Sequence, residues 1–503
     1  MGHKYTVKMR VLLLNAPCRF PIDEKTERFV VRGGIRWPFS IVKPKDRVQV
    51  SMFPFYLGYS ATLLEKENFD VRVIDAIPLN MSYGDFYKEV GKRSPDLVVS
   101  ECSTISIYND LEIARRIKEL TNSRICLVGL HVSSLPEEIL KENDFVDYIC
   151  TGEYELTVLE LCKKLRDKKP LDDVLGLAYR EGKKIRINPR RPPIEPLDRL
   201  PFPARHLFPI DTKCDMDAYF DLWCEKRPAL QMHTSRGCPY GCNFCAWTQV
   251  MYGGRGYRMF SPDYVIREMK HLISEYGAKE IYFDDDDFTI NKQHVMQICD
   301  RIKNEGIRIP WSCMGDVIAT DEEMIRAMAS AGCIGLKFGV ESADEALIRK
   351  IGKPISLEKV VKVAEWCKKY KLRTHATFTF GLLGETKASI EKTIKFAMNL
   401  DVDSVQFSIT TPFPGTRFYD DAKQYISEKD WSKYDGCQRS VVSYPNLSAG
   451  EIEEAFHRAC LMWSKKCLKN PSWVKKNVLL AYRSNGLKGV LSGARKAAKI
   501  LRK

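Results

Sequence analysis

Long uncharged apolar runs are missing from this chain. No stretch of about 18 apolar residues, the length that a membrane-spanning helix needs, is free of charge. The basic start, MGHKYTVKMRVLLLNAPC, has an apolar core that is too short for a signal peptide. With 503 residues, 44% apolar and 29% charged, the composition is typical of a soluble protein with several domains, and we expect it to be cytoplasmic.

Acidic residues are missing from the end of the chain. No Asp or Glu follows Glu454, whereas 13 Lys or Arg residues do. Of the net charge of +14, only +1 therefore belongs to residues 1–454. A partner that recognises positive charge is expected to contact the C-terminal tail.

A disulfide framework is also missing, although the chain has 17 cysteines. They are scattered singly, as in a reducing compartment, except for Cys238, Cys242 and Cys245 in TSRGCPYGCNFCAW. This C-x3-C-x2-C loop has no fourth cysteine. Three thiolates can bind a 4Fe-4S cluster and leave one iron open to another ligand, whereas a closed structural site takes four. A zinc site completed by a distant histidine is the alternative.

Residues 10–153 alternate short apolar runs with helical segments, the pattern of a doubly wound parallel sheet. Ligands of such sheets bind beyond the carboxyl ends of the strands. Unless they are ordinary turn residues, the residues expected to line one crevice are Asp75, Ser103, Thr104, Gly129, His131, Gly152 and Glu153. No G-x-G-x-x-G follows the first run, so a dinucleotide is not expected.

A second βα series begins near residue 229, after a proline-rich stretch that predicts a linker. Its candidate strands are ALQMHTS, EIYFDD, IPWSCM, IGLKFGV, RTHATFTFG and SVQFSIT. Six units predict a parallel barrel open on one side, with its chemistry at the carboxyl ends of the strands. The cysteine loop follows the first strand. The predicted divisions are a sheet domain (1–164), a linker (165–228), a partial barrel (229–420) and a helical region with a basic tail (421–503).

Glycines and acids follow the later strands of this barrel. Gly381 and Gly384 allow the backbone to approach a ligand closely, and Glu341 is placed to accept hydrogen bonds from ribose hydroxyls. Four consecutive aspartates, 284–287, could bind a divalent metal, but alternating faces allow at most two to converge. Polar contacts to a cofactor are expected there instead. The three glycines of MYGGRGYRMF (251–260) predict a mobile loop.

The cysteine loop resembles that of the radical S-adenosylmethionine (SAM) superfamily, in which it binds a 4Fe-4S cluster whose open iron holds SAM. Similar to landmarks of the cobalamin-binding branch are FDDDDF (283–288), GVES (339–342), FGLLGET (380–386) and TPFPGTRFYD (411–420). The resemblance implies that Cys238, Cys242 and Cys245 hold the cluster. It implies SAM contacts from Glu341, Gly381, Gly384 and Asp285.

The first domain resembles the cobalamin-binding domains of that branch. The similar stretches are VGLHVSSLPEEIL (128–140), DYICTGEYE (147–155) and, in one subgroup, GGIRWPF with FPFYLGYSATLLE (33–39 and 53–65). The crevice residues would then contact cobalamin, with Gly129 and Gly152 as flat backbone against the macrocycle. The D-x-H-x-x-G motif that supplies a histidine to cobalt elsewhere is missing, and His131 does not fill that position.

The resemblance also implies a reaction. An external donor of flavodoxin or ferredoxin type would supply the electron that cleaves SAM, and a 5′-deoxyadenosyl radical would take hydrogen from an unactivated carbon. C-methylation by methylcobalamin is the expected outcome. Ring closure and carbon coupling stay open, because similar families include anaerobic magnesium-protoporphyrin ester cyclases and lipid-modifying enzymes.

The tail LKGVLSGARKAAKILRK has apolar residues at helical spacing from Leu487 to Leu501, with basic residues largely elsewhere. SWVKKNVLLAYR before it adds Trp473 and Tyr482, which suit a membrane interface. Two interpretations stay open: docking on a membrane surface, which would suit an apolar or lipid-borne substrate, and packing on the barrel. Nucleic-acid binding is not expected, because no recognition fold is evident.

Two other function classes are alternatives to this interpretation. A cobalamin sensor or carrier with a vestigial barrel is disfavoured by the intact cysteine loop. A methylthiotransferase acting on transfer RNA would carry a second cluster. Candidate ligands for one lie at predicted strand ends: Cys18, Cys102, Cys126 and Cys150.

Overall fold

The computed structural model describes residues 8–21, 23–31, 39–44, 51–208, 219 and 223–502. Of the GGIRWPF stretch, all but Phe39 lies outside the described residues. The chain forms a sheet domain, a barrel and a C-terminal helical region. Among the described residues, no helix is both long and apolar enough to span a membrane.

The sheet domain is a doubly wound α/β structure, as predicted. Its elements are β1 (Arg10–Asn15), β2 (Arg19–Pro21), β3 (Thr26–Val31), β4 (Phe39–Pro44), α1 (Phe55–Lys66), β5 (Asp70–Asp75), α2 (Tyr83–Arg93), β6 (Leu97–Glu101), α3 (Ile107–Thr121), β7 (Arg124–Val128), α4 (Leu130–Ser134), α5 (Pro136–Glu142), β8 (Tyr148–Cys150), α6 (Glu155–Arg166), β9 (Leu177–Glu181) and β10 (Lys184–Ile187).

Five parallel strands of this sheet run in the order β5-β1-β6-β7-β8. The winding reverses between β1 and β6, the position where such sheets bind ligands. β9 extends the sheet antiparallel to β8, and β10 pairs antiparallel with β9, so the predicted linker contains two strands of the sheet. β2, β3 and β4 form a separate small sheet.

The barrel has the six parallel strands that were predicted. Its elements are β11 (Ala229–Met232), β12 (Ser235–Cys238), β13 (Gly256–Met259), α7 (Pro262–Tyr276), β14 (Glu280–Phe283), α8 (Lys292–Asn304), β15 (Trp311–Gly315), α9 (Glu322–Ser330), β16 (Cys333–Glu341), α10 (Glu345–Lys350), α11 (Leu357–Lys369), β17 (Arg373–Phe380), α12 (Lys387–Asn399) and β18 (Ser404–Ile409). The six strands β11, β14, β15, β16, β17 and β18 neighbour one another in chain order.

Local sequence signals fix the ends of the barrel helices. Ser261 caps α7 by accepting from the Tyr264 N–H at 3.2 Å, and Pro262 occupies its first turn. Gly277 ends the helix at a φ of +62°, which a glycine adopts without strain. These signals set where α7 begins and ends.

The two faces of β1 show how the domains pack. Val11 and Leu13 belong to a core that continues into the barrel, whereas Leu12 and Leu14 pack with residues of α2 and α3 on the other face. One apolar core therefore joins the sheet domain to the barrel. After the barrel strands, α13 (Arg417–Ala422) crosses the predicted boundary at residue 420. The C-terminal region contains α14 (Ala449–Leu468) and α15 (Pro471–Arg502), which confirms its helical character.

Candidate active site

The cysteine loop connects two antiparallel strands at the barrel mouth. β12 and β13 pair from Ser235 opposite Met259 to Cys238 opposite Gly256. A π-helical turn, Trp247–Met251, lies between them. Part of the stretch expected to be a mobile loop instead forms β13. The backbones of β12 and β13 approach closely, because a Cβ on Gly237 would lie 2.2 Å from the Gly256 carbonyl oxygen.

Neighbouring segments hold the backbone of this loop. The Gln249 side-chain amide donates to the carbonyl oxygens of Asn243 and Cys245, at 2.9 Å each. Its oxygen accepts from the Arg417 N–H at 2.9 Å. The Asn243 N–H donates to the Ile351 carbonyl oxygen at 2.9 Å. Residues far apart in the chain therefore set the conformation of the cysteine loop.

The three thiols are largely buried, and burial raises the pKa of each, to about 12 for Cys242. The Tyr240 N–H opposes this shift at Cys238, and the Thr248 N–H does so at Cys245. Donors aimed at sulfur favour the thiolate, the form that binds metal. In the described residues, no three His, Cys, Asp or Glu side chains could share one metal ion. Thiolates of a cubane cluster bind different irons, so a cluster does not need them to share one.

Asp285 lies at the carboxyl end of β14 and is buried. It accepts hydrogen bonds from the N–H groups of Thr234 and Ser235, at 2.6 and 3.1 Å, and from the Thr234 hydroxyl. Burial raises its pKa to about 7. Asp286 similarly accepts from the Gly237 N–H at 2.7 Å. These two acids fix the start of the cysteine hairpin to the barrel.

Glu341 ends β16 with its backbone in the left-handed region, at a φ of +71°. A bulge between Gly339 and Glu341 shifts the pairing with β17, and such bulges re-aim side chains beside active sites. Its carboxylate accepts from the Lys353 ammonium at 2.7 Å, and Lys353 also donates to the Gly339 carbonyl at 2.9 Å. A Cβ on Gly339 would lie 2.2 Å from the Glu341 Oε1 atom, so glycine there makes room for the acid.

Gly381 and Gly384 lie just beyond β17, both at a φ of +91°. The buried Glu385 carboxylate accepts from the N–H groups of Gly381 and Leu382, at 2.5 and 3.3 Å. The Tyr444 hydroxyl donates to the Gly381 carbonyl at 2.9 Å. Because burial outweighs these hydrogen bonds, the pKa of Glu385 rises to about 8.

The structure places the predicted crevice residues at the carboxyl edge of the sheet. The Thr104 hydroxyl lies 3.3 Å from His131 Nδ1, and burial lowers the pKa of His131 to about 4. Ser103 bonds the Ser106 hydroxyl at 2.6 Å. Trp431, from the C-terminal region, packs edge-on against His131 with ring centroids 5.1 Å apart.

Asp75, in contrast, accepts hydrogen bonds from other side chains of the protein. It accepts from the Asn15 side-chain amide at 3.0 Å and from the Tyr219 hydroxyl at 2.9 Å.

Close contacts within the protein explain why glycine occupies positions 129 and 152 at this edge. A Cβ on Gly129, which has a φ of +111°, would lie 2.3 Å from the Cys102 carbonyl oxygen. A Cβ on Gly152 would lie 3.0 Å from the Met251 carbonyl oxygen, in the turn after the cysteine loop. Glu153 bonds Arg236 and Arg258 of the cysteine hairpin, so both of its oxygens face the barrel. The carboxyl edge of the sheet thus faces the barrel mouth.

The four cysteines weighed as ligands of a second cluster do not form one group. Cys126 and Cys150 lie on neighbouring strands with their sulfurs 3.6 Å apart. Cys18 packs with Val30 and Ile105 in a separate small core. No metal-binding group of three includes any of them within the described residues.

Comparisons with known proteins agree with this arrangement of two domains. Residues 232–397 match the radical SAM superfamily, and residues 46–162 match the B12 binding domain. The chain is 36% identical to an uncharacterized methyltransferase of Pyrococcus horikoshii, PH0819, over 81% of this chain and 86% of that protein. The chain belongs to the cobalamin-binding radical SAM superfamily.

Two further similarities place this cobalamin-binding radical SAM protein among its relatives. It is 25% identical to the anaerobic magnesium-protoporphyrin IX monomethyl ester cyclase of Rubrivivax gelatinosus, over 76% of this chain and 68% of that enzyme. Its fold resembles the radical SAM methyltransferase TsrM of Kitasatospora setae, solved with cobalamin and a [4Fe-4S] cluster, with a TM-score of 0.64 at 19% identity. That match covers 89% of this chain and 85% of TsrM.

Membership in the superfamily establishes the cofactors and the broad activity. This cobalamin-binding radical SAM protein is an enzyme of methyltransferase type that uses a 4Fe-4S cluster, SAM and cobalamin. The expected cofactors are thereby confirmed.

Sequence reasoning missed several residues around the cobalamin-binding radical SAM site. They are the loop-holding Gln249 and Arg417, the Glu341 partner Lys353, the buried acid Glu385, and the hairpin arginines Arg236 and Arg258. Two of them lie in stretches that resemble landmarks of the superfamily and could have been found there: Arg417 in TPFPGTRFYD and Glu385 in FGLLGET.

Proposed function

We propose that this enzyme methylates an unactivated carbon of an apolar substrate. The observation that carries the proposal is that the cysteine loop and the carboxyl edge of the sheet domain face each other across the barrel mouth. When bound, the cluster and SAM would supply the chemistry that removes hydrogen from an unactivated carbon, and cobalamin would supply the methyl group. An external donor of flavodoxin or ferredoxin type would supply two electrons per turnover, one to cleave SAM and one to reduce cobalamin before it is methylated again.

The residues of the chain hold and orient these groups. Cys238, Cys242 and Cys245 bind the cluster through thiolates that loop N–H groups stabilise. Glu341 accepts hydrogen bonds from SAM hydroxyls and is steadied by the Lys353 ammonium at 2.7 Å. The SAM contact proposed for Asp285 is indirect, because both of its oxygens already bond Thr234 and Ser235.

The strand-end glycines complete the proposed SAM contacts. Gly381 and Gly384 present backbone without a side chain just beyond the carboxyl end of β17. The C-terminal region supports this loop through the bond from the Tyr444 hydroxyl to the Gly381 carbonyl.

Cobalamin is proposed to bind along the carboxyl edge of the sheet, near Ser103, Thr104, Gly129, His131 and Gly152. His131 is neutral there at physiological pH, because burial lowers its pKa to about 4. Its Nδ1 faces Thr104 and its ring faces Trp431, so it contributes to the wall of the crevice. Asp75 and Glu153 act on the crevice through the residues that they hold in place.

We further propose that the substrate is apolar and lipid-borne and that it is presented at a membrane surface. In α15, Leu491 and Leu501 are each 59% exposed, and Arg495 and Lys496 are exposed beside them. The side chains of Leu487 and Tyr482 lie outside the described residues. An exposed apolar and basic helix of this kind favours docking on anionic lipid.

Single Cys→Ala replacements at positions 238, 242 and 245 test the cluster assignment. Each is expected to abolish the iron-sulfur absorbance and the reductant-dependent formation of 5′-deoxyadenosine, because no other thiol lies in the loop. Cys299→Ala, in buried α8, is the matched control and should retain both. Full 5′-deoxyadenosine formation in a loop variant would contradict the assignment.

Ring closure is the second candidate, favoured by the similarity to the magnesium-protoporphyrin ester cyclase. The two reactions are separated by SAM carrying an isotopic label in its methyl group. Incorporation of the label into the product of the purified enzyme supports methylation. A cyclised product without label would replace the proposal.

A further inference from the structure

The cysteine hairpin places two arginines directly opposite each other. Arg236 of β12 pairs in register with Arg258 of β13, and Arg236 is fully buried. Like charges in directly opposite positions destabilise an antiparallel pair, and a buried charge needs a partner. The hairpin therefore depends on negative charge from outside itself.

That negative charge comes from the sheet domain. Glu153, in the turn after β8, accepts from Arg258 through both of its oxygens, at 2.9 Å each, and from Arg236 at 3.1 Å. Glu155, at the start of α6, lies 2.7 Å from the second Arg236 terminal nitrogen. Two buried acids of one domain thus neutralise two arginines of the other.

Aromatic rings of α1 complete this contact. The Arg236 guanidinium lies 4.6 Å from the ring centroid of Tyr56 and 5.1 Å from that of Tyr59. The Tyr56 hydroxyl bonds the Tyr252 hydroxyl at 3.0 Å, and Tyr252 in turn donates to Asp286 at 2.8 Å. Contacts with two rings restrict the guanidinium more tightly than one ion pair would.

We infer that Glu153, Glu155, Arg236 and Arg258 form a strut that sets the position of the cluster relative to cobalamin. Arg236 stands two residues before Cys238, and Glu153 directly follows Gly152 of the proposed cobalamin edge. The strut therefore joins the strand that leads into Cys238 to the turn that contains Gly152. Its members are positioning residues, and the inference rests on the proposed assignment of the cluster to the cysteine loop.

The distance between the reduced cluster and cob(II)alamin is the property that the strut controls. Both are paramagnetic, so each alters the electron spin relaxation of the other in a way that depends steeply on their separation. Glu153→Gln removes the shared charge but keeps the side-chain shape. We expect the loaded variant to keep wild-type iron and cobalt content, while the power saturation of the cob(II)alamin signal shifts at least twofold.

Matched variants separate positioning from general damage. Glu160 lies on α6, the helix that begins at Glu155, and forms an ion pair with Arg191. Glu160→Gln breaks that pair and should leave the signal unchanged. Glu153→Asp keeps the charge and should restore most of the wild-type saturation. Arg258→Lys keeps the charge but loses the paired contact, so it should shift the signal in the same direction as Glu153→Gln.

The outcomes distinguish this inference from the proposed function. If the wild-type chain loads no cluster at the three cysteines, the proposed function fails. If it loads both cofactors and neither Glu153→Gln nor Arg258→Lys alters the saturation, the strut fails alone. If both variants lose the fold while Glu160→Gln keeps it, the network serves stability only, and the inference is overturned.

Discussion

Glu385→Gln should change how the stability of the barrel depends on pH. The pKa of Glu385 rises from 4.5 to about 8, because burial outweighs the Gly381 and Leu382 hydrogen bonds and Asp344 adds repulsion. Between these values the folded chain keeps a proton that the unfolded chain has released, so stability falls as pH rises. At about 1.36 kcal/mol per pKa unit, the free energy of unfolding is lower than its value below pH 4.5 by about 2 kcal/mol at pH 6 and by about 5 kcal/mol above pH 8.

Glu385→Gln lacks this titration. Its free energy of unfolding should therefore not show the fall of about 3 kcal/mol that the Glu385 titration causes in the wild-type protein between pH 6 and pH 9. For a domain of this size that corresponds to roughly 6–12 °C in the unfolding midpoint. The assay is anaerobic scanning calorimetry of the cluster-loaded protein at both pH values and one scan rate. Glu358→Gln, whose side chain is exposed on α11, is the control. Equal pH dependence in wild type and Glu385→Gln would refute the reasoning.

Two more results are expected. Gly129→Ala should lower the free energy of unfolding by about 3 kcal/mol or more, because it combines a φ of +111° with a Cβ placed 2.3 Å from the Cys102 carbonyl. Gly182→Ala has a positive φ but open space around it, so denaturant titration should find a loss of only about 1 kcal/mol; equal losses would show that the close contact is unimportant. Replacing Leu491 and Leu501 with Glu should reduce binding to anionic vesicles at least about tenfold and leave SAM cleavage intact, since these side chains lie in the exposed tail. Failure of the unaltered protein to bind such vesicles at low salt would remove the support for a membrane-borne substrate.

The sheets and the cysteine loop could be predicted because their signals are local. Continuous apolar runs predict buried parallel strands, and all six barrel strands lie where such runs occur. The thiol spacing is likewise a property of one short segment.

Side-chain partners could not be predicted in the same way, because each depends on residues distant in the chain. Glu153 and Asp285 follow strands as a ligand-binding acid would, yet both bond groups at the start of the cysteine hairpin. Nothing in the spacing of GYRM predicts that it pairs with SRGC across the cysteine loop. The contacts between sheet domain and barrel decide these roles.

Helix α1 shows why residues distant in sequence from the cysteine loop matter to its geometry. Phe55 stacks on His233, just before the cysteine hairpin, with ring centroids 3.8 Å apart. One residue later, Tyr56 stacks on Trp247, just after Cys245, at 5.8 Å. The same helix packs against β5 and β1 through the apolar core of the sheet domain. A shift of α1 along the sheet would therefore move both ends of the cysteine loop together, so the loop can adjust to the sheet domain only as a unit.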